Sequence, residues 1–406
     1  MVNVRNLRFN ALLIIILANL LWLFTLSFHK SYHSTYLKTS AKSYKSSSIV
    51  SEFSHLNPVQ PPIIDEWSVN DYYYESSALE EFVINHLDDL GYNKPYPSIC
   101  KMWRKDPSYV NVATEIQTYL DQLSEYETGI HQYQSTISNR SLLEDISKMY
   151  QDGRGTLSWE DATNQVCEPL RLLTNPLNTS LNLFSKSSQV GFMEALLPPM
   201  RHPLYCVKKK SLLNLEYIVH DFYTMCRNLK PTSRVILIDM GASLDFHGLH
   251  SSAPPVYLVS RFAKFGFHFD HIYAYEISPK DPKMVFSSLP NDWIHAYHWI
   301  NVPVQSDKES FLNPLQMILH KFKEEDLVLV KLDIDTPWLE TTLSNQLLEE
   351  EGNSGLTSLI DHFYFEHHVQ TKEMRKAWKA TKGTVKDSMT LFQSLRKNGI
   401  ASHFWV

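Results

Sequence analysis

From residue 211 onward the chain switches repeatedly between two hydrophobic periods. Short runs rich in apolar and aromatic residues stand at 235–238 (VILI), 272–276 (IYAYE), within 295–302, at 327–333 (LVLVKLD), at 362–368 (HFYFEHH) and in the final IASHFWV. Between them apolar residues recur at three- and four-residue spacing, which predicts helices over 255–265, 310–322, 338–350 and 387–398. Pro254-Pro255 opens the first of these and Gly266 closes it, while Gly399 stops the last. A further helix is predicted ahead of the first strand, with Leu212, Leu215, Ile218, Val219, Phe222, Met225 and Leu229 on one face. Runs that are apolar throughout are strands buried on both faces. The alternation therefore predicts an α/β domain over 206–406, with a mostly parallel sheet covered by helices on both sides.

Upstream, residues 76–205 carry the helical period alone. Leu79, Phe82, Val83, Leu87 and Leu90 mark one helix, with Gly91 as its stop; Val112, Ile116, Leu120, Leu123 and Tyr126 mark a second; a third is predicted near 141–150. No chemistry is apparent in this stretch, which reads as a helical cap on the following domain. Its end, GFMEALLPPMRHPLYC (191–206), is broken by prolines and reads as a boundary or a loop. Arg201 and His202 offer cations for an anionic group there, but a structural turn is the favoured reading of both.

The first residues have a different pattern. Residues 11–28, ALLIIILANLLWLFTLSF, carry no charge, and roughly 27 Å of helix from eighteen residues approaches a bilayer core of ~30 Å. No small-residue cleavage site follows, so a tail (1–10) and a single transmembrane signal-anchor are predicted, with the membrane as a partner through residues 11–28. Residues 29–75, rich in Ser, Tyr and Lys and containing Pro58, Pro61 and Pro62, read as a flexible stem. Charge counting across the span (Arg5 and Arg8 before; Lys30, Lys38, Lys42 and Lys45 after) favours a cytosolic C-terminal side. The sequons at Asn139 and Asn178, and four cysteines (Cys100, Cys167, Cys206, Cys226) that can pair in an oxidising lumen, favour the opposite. We expect the C-terminal domain in the lumen of the Golgi or another secretory compartment.

Composition narrows the function classes. The 406 residues are 43% hydrophobic and 20% charged, which is globular, and 38 basic against 44 acidic residues leave a net charge of −6. A broad basic surface for nucleic acid is excluded, and no nucleic-acid partner is expected.

In a parallel sheet, ligands bind at the carboxyl ends of the strands. Three of the predicted strands end in acids: Asp239, followed by Met240-Gly241-Ala242-Ser243; Glu276; and Asp333-Ile334-Asp335. A small-residue turn permits close backbone approach, and a carboxylate on the second strand suits a ribose diol. The order points to a nucleoside-type cofactor.

The motifs IDMGAS, AYEIS, LVLVKLDID, FYFEHHV and GIASHFWV resemble those of the S-adenosylmethionine-dependent methyltransferases of the FkbM type, over about 235–406. The resemblance implies a Rossmann-like, seven-stranded sheet with S-adenosylmethionine as cofactor. By matching position, Asp239, Gly241, Ala242 and Ser243 would flank its methionine part, and Glu276 would hold its ribose. Asp333 would lie beside cofactor and substrate; Glu366 matches an acid without an assigned role. Two positions depart from the family pattern: Asp245 replaces a second glycine, and Asp335-Thr336 replaces an acid-Gly pair. An oxygen nucleophile benefits from a general base, for which Asp333 and Asp335 rank above His247 and His367. The acceptor implied by the address is a glycan or other small molecule of the secretory pathway.

Two other readings remain. Asp333-Ile334-Asp335 is also the acid-x-acid arrangement with which many Golgi glycosyltransferases hold Mn²⁺ on a sugar nucleotide. A membrane-anchored relative that kept the fold but not the chemistry is the third, with Asp245 as its support. Neither His295 and His298 nor Glu366-His367-His368 has zinc-site spacing, and no resident metal is expected.

Overall fold

The computed structural model describes residues 74–100, 110–134, 140–172, 180–182, 190–198, 215–243, 254–349, 355–373, 375 and 381–405. The apolar run 11–28, most of the stem, Asn139, Asn178, Arg201, His202, Asp245 and His247 lie outside them. No helix among the described residues is long and apolar enough to cross a membrane. The described residues belong to one compact unit, Trp67–Val406.

Two sheets are present. Strands β1 (Tyr74–Glu75), β2 (Ser180–Asn182) and β3 (Val190–Phe192) form a small antiparallel sheet in that order. The main sheet has six parallel strands: β4 (Val235–Met240), β5 (His271–Tyr275), β6 (Tyr297–Ile300), β7 (Leu327–Leu332), β8 (His362–Phe365) and β9 (Ala401–Phe404). Their spatial order is β6-β5-β4-β7-β8-β9, that of a doubly wound nucleotide-binding sheet, with its switch point between β4 and β7. The α/β class with a parallel sheet is thus as predicted. The seventh strand implied by the family resemblance is not among the described residues.

The two central strands are buried at every position, which is why they read as continuous apolar runs. Helices Pro254–Lys264, Pro314–Lys321, Pro337–Gln346 and Val385–Lys397 alternate with the strands near their predicted positions. Proline at the first turn starts three of them, and a Thr384–Asp387 capping box starts the last. The helix predicted through 212–229 is shorter. It spans Phe222–Asn228, where the Asp221 side chain caps it by accepting the Thr224 N–H at 3.0 Å. Just before it, buried side-chain acceptors hold the backbone out of the helix. The Val219 N–H donates to Glu194 Oε2 (3.0 Å) and the His220 N–H to Tyr126 Oη (3.0 Å).

The upstream segment contributes helices Ala78–Asn85, Val110–Gln134, Leu142–Asp152 and Trp159–Cys167. It is joined to the α/β region by ring stacking of Tyr133 on Phe265 (4.9 Å between centroids) and by the disulfide Cys167–Cys226. Cys100 is also disulfide-bonded. A buried charge network closes the junction. Arg396, 1% exposed on helix Val385–Lys397, donates to the carbonyls of Glu194 (3.0 Å) and Ser402 (3.0 Å) and lies 3.3 Å from Glu80 Oε2. Glu194 in turn accepts from His403 Nδ1 at 2.8 Å. Of the segment 191–206, read from sequence as a boundary or loop, residues 191–198 are described: they begin with the last residues of β3, continue without regular structure and are buried.

Two acids compete for one guanidinium, and they separate. Burial alone would raise Glu194, but His403, Arg396 and the Val219 N–H hold it below the ordinary carboxylate range. Glu80, with Arg396 and the Leu196 N–H as weaker opposition, is pushed by burial up to about 7.

Candidate functional site

The chain leaves β4 toward β5 on one side of the switch point, while β7 occupies the other side. In a sheet of this order ligands bind in the crevice outside the carboxyl ends of the strands that flank the switch point, here β4 and β7. Gly241 sits at its floor with φ +87. A Cβ there would lie 1.6 Å from the Asp333 carbonyl oxygen, so only glycine fits. The close approach that this glycine allows is to the neighbouring strand. Its N–H and that of Ala242 both donate to the Tyr275 carbonyl at 2.9 Å. Ser243 continues the turn, its N–H donating to the Gly241 carbonyl at 2.9 Å.

Beneath the floor lies a buried cation. Asp239 on β4 and Lys331 on β7 are register partners, so their side chains share one face of the sheet. Lys331, 2% exposed, donates to the Gly241 carbonyl at 2.7 Å; its Nζ lies 3.1 Å from Asp239 Oδ1 and 3.4 Å from Asp333 Oδ2. Burial opposes the lysine's charge, but the two carboxylates outweigh it and raise its pKa. Asp239 is itself raised, by burial against the pull of Lys331. Asp333 is pushed up to about 6: burial leads, Lys331 opposes it, and the nearby Glu366 carboxyl, hydrogen-bonded to it, adds to the rise.

Glu276 stands one residue beyond β5, on the other flank of β4. Its Oε1 accepts the Ser278 N–H at 2.6 Å, and its carbonyl accepts from Asn301 Nδ2 at 2.6 Å. The next residue, Ile277, is 69% exposed, as is Trp338 at the start of helix Pro337–Gln346 after β7. An exposed apolar side chain next in the chain to an acid that can hold a diol, as Ile277 is to Glu276, provides a surface for a flat ring.

Past β7 the chain turns sharply. Asp335 has φ +57, a conformation that costs a non-glycine residue energy and that Asp tolerates better than most. The turn is held from inside by Glu340, fully buried, whose Oε1 accepts the Ile334 N–H at 3.0 Å. The other oxygen of Glu340 lies 2.7 Å from His368 Nδ1. The Nε2 edge of His368 faces Glu366 Oε2 (3.4 Å) and Asp335 Oδ1 (3.9 Å). Burial would lower the His368 pKa, but Glu340 and Glu366 raise it to about 10. His367 behaves oppositely. Its Nδ1 lies 2.9 Å from Ser388 Oγ on helix Val385–Lys397, and burial, with the neighbouring His368 charge, pushes it down to about 3.

The structure thus brings Asp239, Gly241, Ala242, Ser243, Glu276 and Asp333 to adjacent carboxyl ends, and sets Asp335 just outside with Glu366 and His368. Lys331, Ile277, Trp338, Glu340 and His368 were given no role from the sequence. Lys331 carried a signal, since a charge inside a strand buried on both faces requires partners. Glu366 and His368 are two apart, but their third neighbour comes from the turn after β7, which spacing along the chain does not reveal. No protein-family model, no curated protein and no solved structure matches this chain. The likeness to FkbM-type enzymes rests on its motifs alone.

Proposed function

We propose that the chain is an S-adenosylmethionine-dependent methyltransferase acting on oxygen of a glycan or other secretory-pathway acceptor. The observation that carries this reading is the set of acids from three neighbouring strands, Asp239, Glu276 and Asp333, around the switch point of a parallel sheet. Their chemistry suits the cofactor: Glu276 would hold the ribose, Ile277 would pack on the purine, and the acidic crevice favours a sulfonium cation. The bound cofactor would supply an electrophilic methyl group. The chain's own contribution is to align an acceptor hydroxyl and to remove its proton. Asp333, with a pKa of about 6 beside Glu366, is ionised at neutral pH yet basic enough for that transfer. The disulfides support an oxidising compartment.

The experiment is a melting titration of the full-length chain with S-adenosylhomocysteine. Ligand at 100 times its dissociation constant stabilises by ~2.7 kcal/mol, which moves the midpoint by several degrees. Glu276→Gln is expected to weaken binding at least tenfold while leaving the ligand-free midpoint within a few degrees. A folded chain that ignores this nucleoside and responds to UDP-sugars with Mn²⁺ would be a glycosyltransferase.

A further inference from the structure

We infer that Asp335, Glu366 and His368 form a binding site for a divalent transition-metal cation at the mouth of the crevice. The three side chains each present one ligand atom, and those atoms lie within 4.8 Å of one another. Around an ion with bonds of ~2.1 Å, ligand atoms at tetrahedral or octahedral angles stand ~3.0–3.4 Å apart. The His368 Nε2–Glu366 Oε2 separation of 3.4 Å is already at that spacing and Asp335 Oδ1 stands 3.9 Å from the same nitrogen; an ion bound here takes the place of the Nε2 proton, which is released to solvent. One imidazole and two carboxylates are a borderline-to-hard donor set that suits Mn²⁺, Fe²⁺ or Zn²⁺ better than a soft ion.

The surroundings of the imidazole favour this reading. Metal-bound histidines commonly give their other ring nitrogen to a carboxylate, which fixes the ring and raises its basicity. His368 does this with Glu340, and both side chains are fully buried. The Glu340 carboxylate also holds the backbone of the turn that carries Asp335, so one buried group orients two of the three ligands. The Asp335 side chain is 70% exposed, so the site opens to solvent on that side. Three protein ligands and an open face are the arrangement of ion sites that take substrate, whereas purely structural sites are closed.

The site itself does not depend on the methyltransferase reading, but its use does. Asp333 is bonded to Glu366 and lies two residues before Asp335, so an ion here would sit beside the proposed base. An acceptor with two adjacent oxygens, such as a vicinal diol or a hydroxy-carboxylate, would chelate the ion through its open face. The ion would lower the pKa of the bound hydroxyl and fix its position.

The test is Mn²⁺ binding to the full-length chain after removal of metals with chelator, read as loss of the free-ion signal in electron paramagnetic resonance. We expect one Mn²⁺ per chain, displaced by Zn²⁺, and at least tenfold weaker binding in Asp335→Asn, whose exposed side chain makes it safe for folding. Glu366→Gln is expected to weaken binding similarly. A folded chain that takes up neither ion, or binding that Asp335→Asn leaves unchanged, would overturn the site. S-adenosylhomocysteine affinity is measured on the same samples. Its absence beside intact, variant-sensitive Mn²⁺ binding would remove the methyltransferase reading and leave the ion site standing.

Discussion

Gly241 shows how one residue couples two strands. Its missing side chain leaves room for the Asp333 carbonyl, and its positive φ turns the chain toward Tyr275. Gly241→Ala meets both penalties at once and is expected to cost about 3 kcal/mol or more, read as a fall in melting midpoint. Glu80 sets a pH dependence. Its folded pKa of about 7 lies above its ordinary 4.5, so the folded state binds the proton more tightly. Glu80 therefore favours folding below about pH 4.5, and that support is lost as pH rises to about 7, where the loss levels off. Glu80→Gln mimics the protonated form. The variant should be close to the wild type at pH 5 and more stable at pH 8, by on the order of 3 kcal/mol. Equal offsets at both pH values would show that Glu80 does not titrate in this range. Neither behaviour was legible in the sequence. A glycine after a strand announces a turn but not which backbone fills its space, and Glu80 looked like a polar position on an amphipathic helix.

At the scale of elements, the sequence was most readable where packing is regular. All six main strands and the four alternating helices were foreseen within a few residues, because strands buried on both faces and helices with one apolar face leave periodic patterns. The failures have two causes. The helix expected through 212–229 was cut short where Glu194 and Tyr126 captured backbone N–H groups, and those acceptors come from distant segments. The three short strands β1–β3 had too few residues to show a period. The same junction makes helix Val385–Lys397 dependent on segments far away in the chain. Arg396→Met removes the only arginine between Glu80 and Glu194 among the described contacts and leaves their carboxylates in a dry setting. Breaking such a network from one side costs about 3–5 kcal/mol, so we expect a destabilisation of that size in denaturant unfolding. Pairing Arg396→Met with Glu80→Gln should recover part of it.

For the whole molecule, the helical segment and the α/β region behave as one body. The Cys167–Cys226 bond joins helices Trp159–Cys167 and Phe222–Asn228 across a separation of 59 residues. A closed loop of that length removes roughly 4 kcal/mol of unfolded-state freedom in the chain-entropy account. Replacing both cysteines by alanine is expected to lower stability by a comparable amount, measured without reductant, and to leave the fold intact. A variant with unchanged stability would mean that the junction holds by packing alone. The candidate site was partly readable at this scale. The acids Asp239, Glu276 and Asp333 announced themselves by following apolar strands. The grouping of Asp335 with Glu366 and His368 arises only when β7 and β8 lie side by side.

The separation between Glu80 and Arg396 has a consequence for synthesis. The glutamate leaves the ribosome 316 residues before the arginine that neutralises its surroundings. At about 5–20 residues per second that is a wait of roughly 16–60 s. During this interval the nascent upstream helices hold apolar faces and acids whose burial cannot yet be completed. The fold therefore cannot close until Arg396 has emerged, and a chaperone that shields the upstream helices before then should raise the yield more than one acting only afterwards.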